Sequence, residues 1–162
     1  MSRKPVFTMF VDLSDKNVLV AGGTEAAVRR VKSLLQFTRN VTVITQRPCQ
    51  ELVEMQRLSQ ITLETRPLKR SDFRDKYMVV TVTNDRKLCD NIYRVCKEEG
   101  IYVNISIDRD KSDFYFPGAY VQGDLVIGVT AGTLDAKKAL KIRTELEGAI
   151  RRIGQADDDD EA

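Results

Sequence analysis

Gly22-Gly23-Thr24-Glu25-Ala26 is the stretch of this chain best suited to holding a ligand. It follows the apolar, β-branched run Val18-Leu19-Val20-Ala21 and precedes a helical pattern in which Val28, Val31, Leu34 and Leu35 share one face. A strand feeding a glycine turn and a helix leaves backbone N–H groups unpaired at the positive end of a helix dipole. A pyrophosphate can dock there. Gly22 takes the first position of the dinucleotide fingerprint, and Ala27 takes the last, where helix and sheet pack closely. The middle position is Thr24, whose Cβ narrows the approach and whose hydroxyl can donate to a phosphate oxygen. A strand–turn–helix that holds no nucleotide is the other reading of this stretch taken alone.

Three further groups carry chemistry. After a second strand, Val41 to Thr45, the fingerprint wants an acid for the adenosine ribose, and the chain offers Thr45-Gln46-Arg47. Arg47 either holds a 2′-phosphate, which favours NADP over NAD, or is a surface arginine. Thr83-Asn84-Asp85 ends an apolar run, where small polar side chains can touch a nicotinamide ribose or cap the next helix. Asp108-Arg109-Asp110-Lys111 forms a charged loop after another strand.

Other chemistry is excluded. The chain has no histidine, which removes histidine bases, histidine-activated nucleophiles and histidine metal ligands. Cys49, Cys89 and Cys96 are an odd set without metal-type spacing, so no metal site is expected. They read as free thiols of a reducing cytoplasm.

The elements that must position these groups follow from periodicity. Val6 to Leu13 reads as a short β segment, and the first helix runs to about Phe37. The spacing to Val41 suits a right-handed β-α-β crossover and a parallel pair. Pro48 to Ser59 reads as a helix with Leu52, Val53, Met55 and Leu58 apolar, and Ile61 to Thr65 as a third strand. Tyr77 to Thr83 is a buried central strand, Leu88 to Glu99 a helix stopped by Gly100, and Ile101 to Ile107 the next strand. Then Gly123-Asp124 joins two β runs as a hairpin, and Asp135 to Ile153 has helical register. The fold expected is α/β: a Rossmann-like parallel sheet with helices on both faces, then a β-hairpin plus helix. The divisions are a dinucleotide-binding domain at 1–112, a dimerisation region at 113–154 and a disordered acidic tail at 155–162. A hairpin plus one helix cannot bury its own core, so a homodimer is expected.

No apolar run approaches the roughly 20 residues of a bilayer span, and no hydrophobic segment follows Met1-Ser2-Arg3-Lys4-Pro5 as in a secretory signal. A cytoplasmic protein without membrane contact is expected. Net charge is +2, but the five acids of Asp157 to Glu161 leave the rest of the chain at +7. That basic body suits an anionic ligand; no cluster is dense enough for nucleic acid.

In order and spacing, these pieces resemble the precorrin-2 dehydrogenase module of siroheme synthases over roughly Pro5 to Ile150. The stretches carrying the resemblance are Val11-Asp12-Leu13, the glycine turn, Thr83-Asn84-Asp85, Val103-Asn104-Ile105, Ser112-Asp113-Phe114-Tyr115-Phe116-Pro117, Gly123-Asp124-Leu125 and Leu140 to Glu147. The resemblance implies NAD-dependent oxidation of precorrin-2 to sirohydrochlorin by an enzyme of siroheme biosynthesis. It places the nucleotide on Gly22, Gly23, Thr24, Glu25, Ala26, Gln46, Arg47, Thr83, Asn84 and Asp85. It makes Asp108 the base or the carboxylate that orients the substrate.

The chain departs from the family in four places. Thr24 replaces a third glycine, and an ungapped count from Asn104 to the family's aspartate lands on Ile107, one residue before Asp108. The family's serine-rich glycine loop appears as Thr130 to Ala136. The chain also ends just past the dimerisation helix, so the helical domain that covers a tetrapyrrole is expected to be absent or removed. Chelatase activity is therefore not expected. A homologue that binds nucleotide or tetrapyrrole without catalysis is the alternative.

Overall fold

The computed structural model describes residues 6–129, 140–150 and 152. Among the described residues the chain forms two compact units: Phe10–Phe114, and residues 6–9 together with 115–129, 140–150 and 152. Residues 6–9 thus group with the later part of the chain, and the division falls after Phe114 where the sequence suggested 112.

The larger unit is a five-stranded parallel sheet: β1 (Val18–Ala21), β2 (Val41–Thr45), β3 (Thr62–Thr65), β4 (Met78–Thr81) and β5 (Tyr102–Ile105), in the order β3-β2-β1-β4-β5. Register aligns Val20 with Val43 on one side and Val80 on the other. Every residue of β1 and β4 is buried, as a sheet covered on both faces requires. Side chains alternate between those faces. Leu19, Ala21, Val79, Val103 and Ile105 pack with Ile92, Val95 and Cys96 of helix α3 (Arg86–Glu99). The opposite face receives α1 (Glu25–Leu34), whose buried side is Ala27, Val28, Val31 and Leu34, and α2 (Gln50–Arg57). Each fully buried large aliphatic side chain contributes about 1.5–3 kcal/mol.

The helices start and stop for local reasons. Asp85 caps α3 by accepting the Leu88 N–H at 3.0 Å, and Gly100 ends it at φ +69. Only Leu52 and Met55 of α2 are buried; of the other apolar positions, Val53 and the C-cap residue Leu58 are about half exposed. Periodicity cannot decide the matter in a helix of only eight residues, because two inward positions suffice to seat it.

The strands are shorter than their apolar runs. β1 turns away at Gly22, so Val82 donates to the Ala21 carbonyl and pairing stops there. Beyond Ile105, the Ser106 N–H donates to the Thr81 hydroxyl instead of to a backbone carbonyl. Residues 6–13 form no strand; Phe7 is 91% exposed.

The open edge of β5 is closed by side chains. The Val103 N–H donates to Asp113 Oδ2 at 3.0 Å, and the Ile105 N–H donates to Ser112 Oγ at 2.9 Å. Asp113 N–H returns a bond to the Val103 carbonyl, and Asn104 Nδ2 donates to the Phe114 carbonyl. The Ser112-Asp113-Phe114 stretch therefore acts as a sixth strand in which two side chains stand in for backbone carbonyls.

In the smaller unit, β6 (Gly118–Gln122) and β7 (Leu125–Val129) pair antiparallel. Gly123 sits at φ +55, the positive angle its two-residue turn needs. Residues 140–150 are helical. The expected glycine loop at Thr130 to Ala136, the first turn of the last helix and the acidic tail lie outside the described residues.

Candidate functional site

A cleft of about 990 Å³ opens along the carboxyl ends of the strands. In the order β3-β2-β1-β4-β5 the chain reverses direction of travel between β1 and β4. Ligands of open α/β sheets bind at such a point. Gly22, Gly23, Thr24, Ala26, Gln46, Arg47, Thr83, Asn84 and Asp85 all line the cleft. Glu25 and Asp108 are not among its lining residues.

Both glycines are required by the protein's own packing. A Cβ on Gly22 would stand 2.3 Å from the Val82 carbonyl oxygen. One on Gly23 would stand 2.2 Å from the Arg47 carbonyl oxygen and 2.6 Å from Thr45 Oγ1. The Gly23 carbonyl also accepts the Cys49 N–H at 2.7 Å. The glycine turn is thus wedged between the loops that follow β2 and β4, which holds all three together.

Three residues with free backbone donors, Gly23, Thr24 and Ala26, line the cleft. The N–H groups of Gly23, Thr24, Glu25 and Ala26 have no backbone acceptor among the described residues, because the first helical bonds come from Ala27 and Val28 to the Thr24 carbonyl. Thr24 is the N-cap of α1, and its hydroxyl does not close the cap. Four amides and a hydroxyl at a helix N-terminus suit a diphosphate. That free donor set shows that the residues fit a dinucleotide coenzyme.

The other loops are built differently. Thr45 Oγ1 accepts the Arg47 N–H at 3.3 Å, which holds the turn through Gln46 at the tip of β2. At the tip of β4, Thr83 Oγ1 accepts the Asp85 N–H, and the Asp85 carboxylate is taken by the α3 cap. Asn84, exposed between them, keeps its side-chain amide available.

Residues 9–118 match the family model described as "Putative NAD(P)-binding". The chain belongs to this NAD(P)-binding family. It is 36% identical over 152 residues to the "Probable multifunctional siroheme biosynthesis protein HemA" of Ruminiclostridium josui, covering 94% of this chain and 29% of that protein. It is 32% identical to the siroheme synthase of Buchnera aphidicola, covering 88% and 30% respectively. The chain therefore spans less than a third of the length of these relatives. The solved structure of SirC, precorrin-2 dehydrogenase, superposes with a TM-score of 0.80 at 22% identity, over 89% of this chain and 70% of that one. The two share a fold.

Apart from Ile107, the cleft also contains residues the sequence did not single out. Arg29 and Arg30 of α1 line it, as do Leu68, Leu88, Ser106 and Ile107. Arg30 is half-buried; that burial, with the neighbouring Arg29 charge, lowers its pKa. Helical spacing put the two arginines off the buried face, but no local signal says which loop lies opposite them. Arg66 also reaches the cleft, with its guanidinium held by Asp72 and Glu64.

Asp108 lies just past the cleft-lining pair Ser106-Ile107. Its Oδ1 accepts the Asp110 N–H at 3.0 Å, and its Oδ2 lies 3.7 Å from Lys111 Nζ. The Asp108 carbonyl accepts the Ser112 hydroxyl. The side chain remains 38% exposed. Among the described residues, no cluster of acids, cysteines or histidines is suited to a metal ion, and no helix is long and apolar enough to cross a membrane.

Proposed function

We propose that this chain is the dehydrogenase part of a siroheme biosynthesis protein, oxidising precorrin-2 to sirohydrochlorin with NAD⁺ or NADP⁺. The observation that carries the proposal is the free donor set after Gly22, opening into the cleft between β1 and β4. The names of the relatives and of the SirC structure supply the substrate class.

When bound, the nicotinamide supplies a hydride acceptor. Gly23 to Ala26 hold the diphosphate through their N–H groups, Gln46 and Arg47 meet the adenosine end, and Thr83 to Asp85 meet the nicotinamide ribose. Oxidation removes a hydride from one substrate atom and a proton from its neighbour. In this reading Asp108, which follows the cleft-lining pair Ser106-Ile107 and whose Oδ1 accepts the Asp110 N–H, takes that proton or orients the substrate.

The second reading is a homologue that binds without turnover. It is favoured by Ile107, which faces the cleft where a carboxylate would act, while Asp108 stands outside the lining. The deciding experiment is anaerobic incubation of the protein with precorrin-2 and each coenzyme, followed by absorbance. Formation of sirohydrochlorin, lost in Asp108→Asn with coenzyme affinity kept, supports the dehydrogenase. Coenzyme binding without turnover supports the second reading.

We further propose that the smaller unit mediates a homodimer. Phe7, Met9, Leu140 and Leu146 are between 41% and 91% exposed, more apolar surface than one small unit ordinarily leaves in water. Sedimentation at micromolar concentration tests this, and a monomer there refutes it.

A further inference from the structure

Resting on the coenzyme-binding reading above, we infer that Arg66 is the platform on which the adenine ring of the coenzyme stacks. The glycine turn provides for the diphosphate, and Arg66 provides for the base.

Arg66 is the first residue past the end of β3, and it lines the cleft with Pro67 and Leu68. Register pairs Thr65 with Thr45, so Arg66 stands level with Gln46 at the neighbouring strand tip. β3 is two places from β1 in the sheet, about 10 Å at the usual strand spacing. That distance suits a ribose and its base reaching out from a diphosphate held at the glycine turn. The substrate must meet the nicotinamide, which lies across β1 near Thr83 to Asp85. The flat ring left for the β3 side is adenine.

The guanidinium has no edge to offer a ligand. Nε and Nη2 face Glu64 Oε2 at 2.7 and 2.5 Å. Nη1 and Nη2 face Asp72 Oδ2 and Oδ1 at 2.8 and 2.7 Å, and Nη1 also donates to the Pro67 carbonyl at 3.0 Å. Its five donors are thereby taken. The two carboxylates outnumber the one cation, so the cluster gives a phosphate no net attraction. Yet the Arg66 side chain stays 28% exposed and borders the cleft. What it still presents is the flat face of a delocalised cation, fixed in orientation by its two partners. Such a face stacks on an aromatic ring. Pro67 and Leu68 add apolar surface beside it.

Calorimetric titration of the full chain with NAD⁺, NADP⁺, ADP-ribose and nicotinamide mononucleotide tests the inference. Arg66→Lys keeps a cation beside Asp72 and removes the plane. It is expected to weaken the three adenine-bearing ligands by about five- to ten-fold and to leave nicotinamide mononucleotide unchanged. A second measurement needs no variant. In proton NMR of the wild type, the Arg66 Nε–H, bonded to Glu64, should move upfield by ring current when ADP-ribose is added and stay in place with nicotinamide mononucleotide. The inference is overturned by affinities that Arg66→Lys leaves unchanged, by a loss shared equally with nicotinamide mononucleotide, or by an Nε–H signal that ADP-ribose does not move. Coenzyme binding by the wild type survives each of those results. Failure of the wild type to bind either coenzyme overturns the coenzyme reading itself.

Discussion

The Val82 carbonyl oxygen lies 2.3 Å from the point where a Cβ on Gly22 would stand. The start of the glycine turn therefore presses on the loop leaving β4. Gly22→Ala must push Val82 and the loop after it out of place, at φ +157 where a side chain is already strained. The expected cost is about 1–3 kcal/mol. Thermal unfolding should show a lowered Tm, and coenzyme titration should show weakened binding, because Thr83 to Asp85 move with Val82. An unchanged Tm would refute the wedge.

Asp113 is expected to be a stability residue. It accepts the Val103 N–H and pairs with Lys97. Asp113→Ala leaves that strand N–H without its acceptor, a loss of about 1–3 kcal/mol. Urea unfolding should report the loss while coenzyme affinity stays near that of the wild type. Lost affinity with unchanged stability would instead place Asp113 in the site.

Asp72 should make stability depend on acid pH. Arg66, bonded to both its oxygens, holds its pKa below the ordinary 3.8, and the Lys69 N–H adds to this. Its contribution is present above the unfolded value and is lost as pH falls through the folded one. Asp72→Asn should therefore be less stable than wild type at pH 7, by roughly 1–2 kcal/mol for its charged hydrogen bonds. Tm measured against pH should show the gap closing below about pH 4.

The thiols should divide by burial. Burial in the core pushes the Cys96 pKa up to about 12 and also raises that of Cys89. Cys49, at the start of α2, is only partly buried. A disulfide reagent at pH 8 should label Cys49 in the native protein, and all three cysteines only after denaturation. Rapid native labelling of Cys96 would contradict the packing of α3 on the sheet.

Much of this protein is legible in one dimension. The strand of Val18 to Ala21, the glycine turn, the Asp85 cap and the Gly100 stop each depend on residues within a few positions, so local order reveals them. The order of the elements then dictates a parallel sheet whose ligand edge is the carboxyl end. Tertiary structure alone decided what lies opposite each group. It set Gly23 against Arg47, brought Arg29 and Arg30 to the cleft, turned Asp113 into part of an edge strand and left Asp108 beside the cleft wall. Those outcomes depend on loops far apart in the chain meeting at close range, and spacing along a single segment carries no record of what the other segment presents.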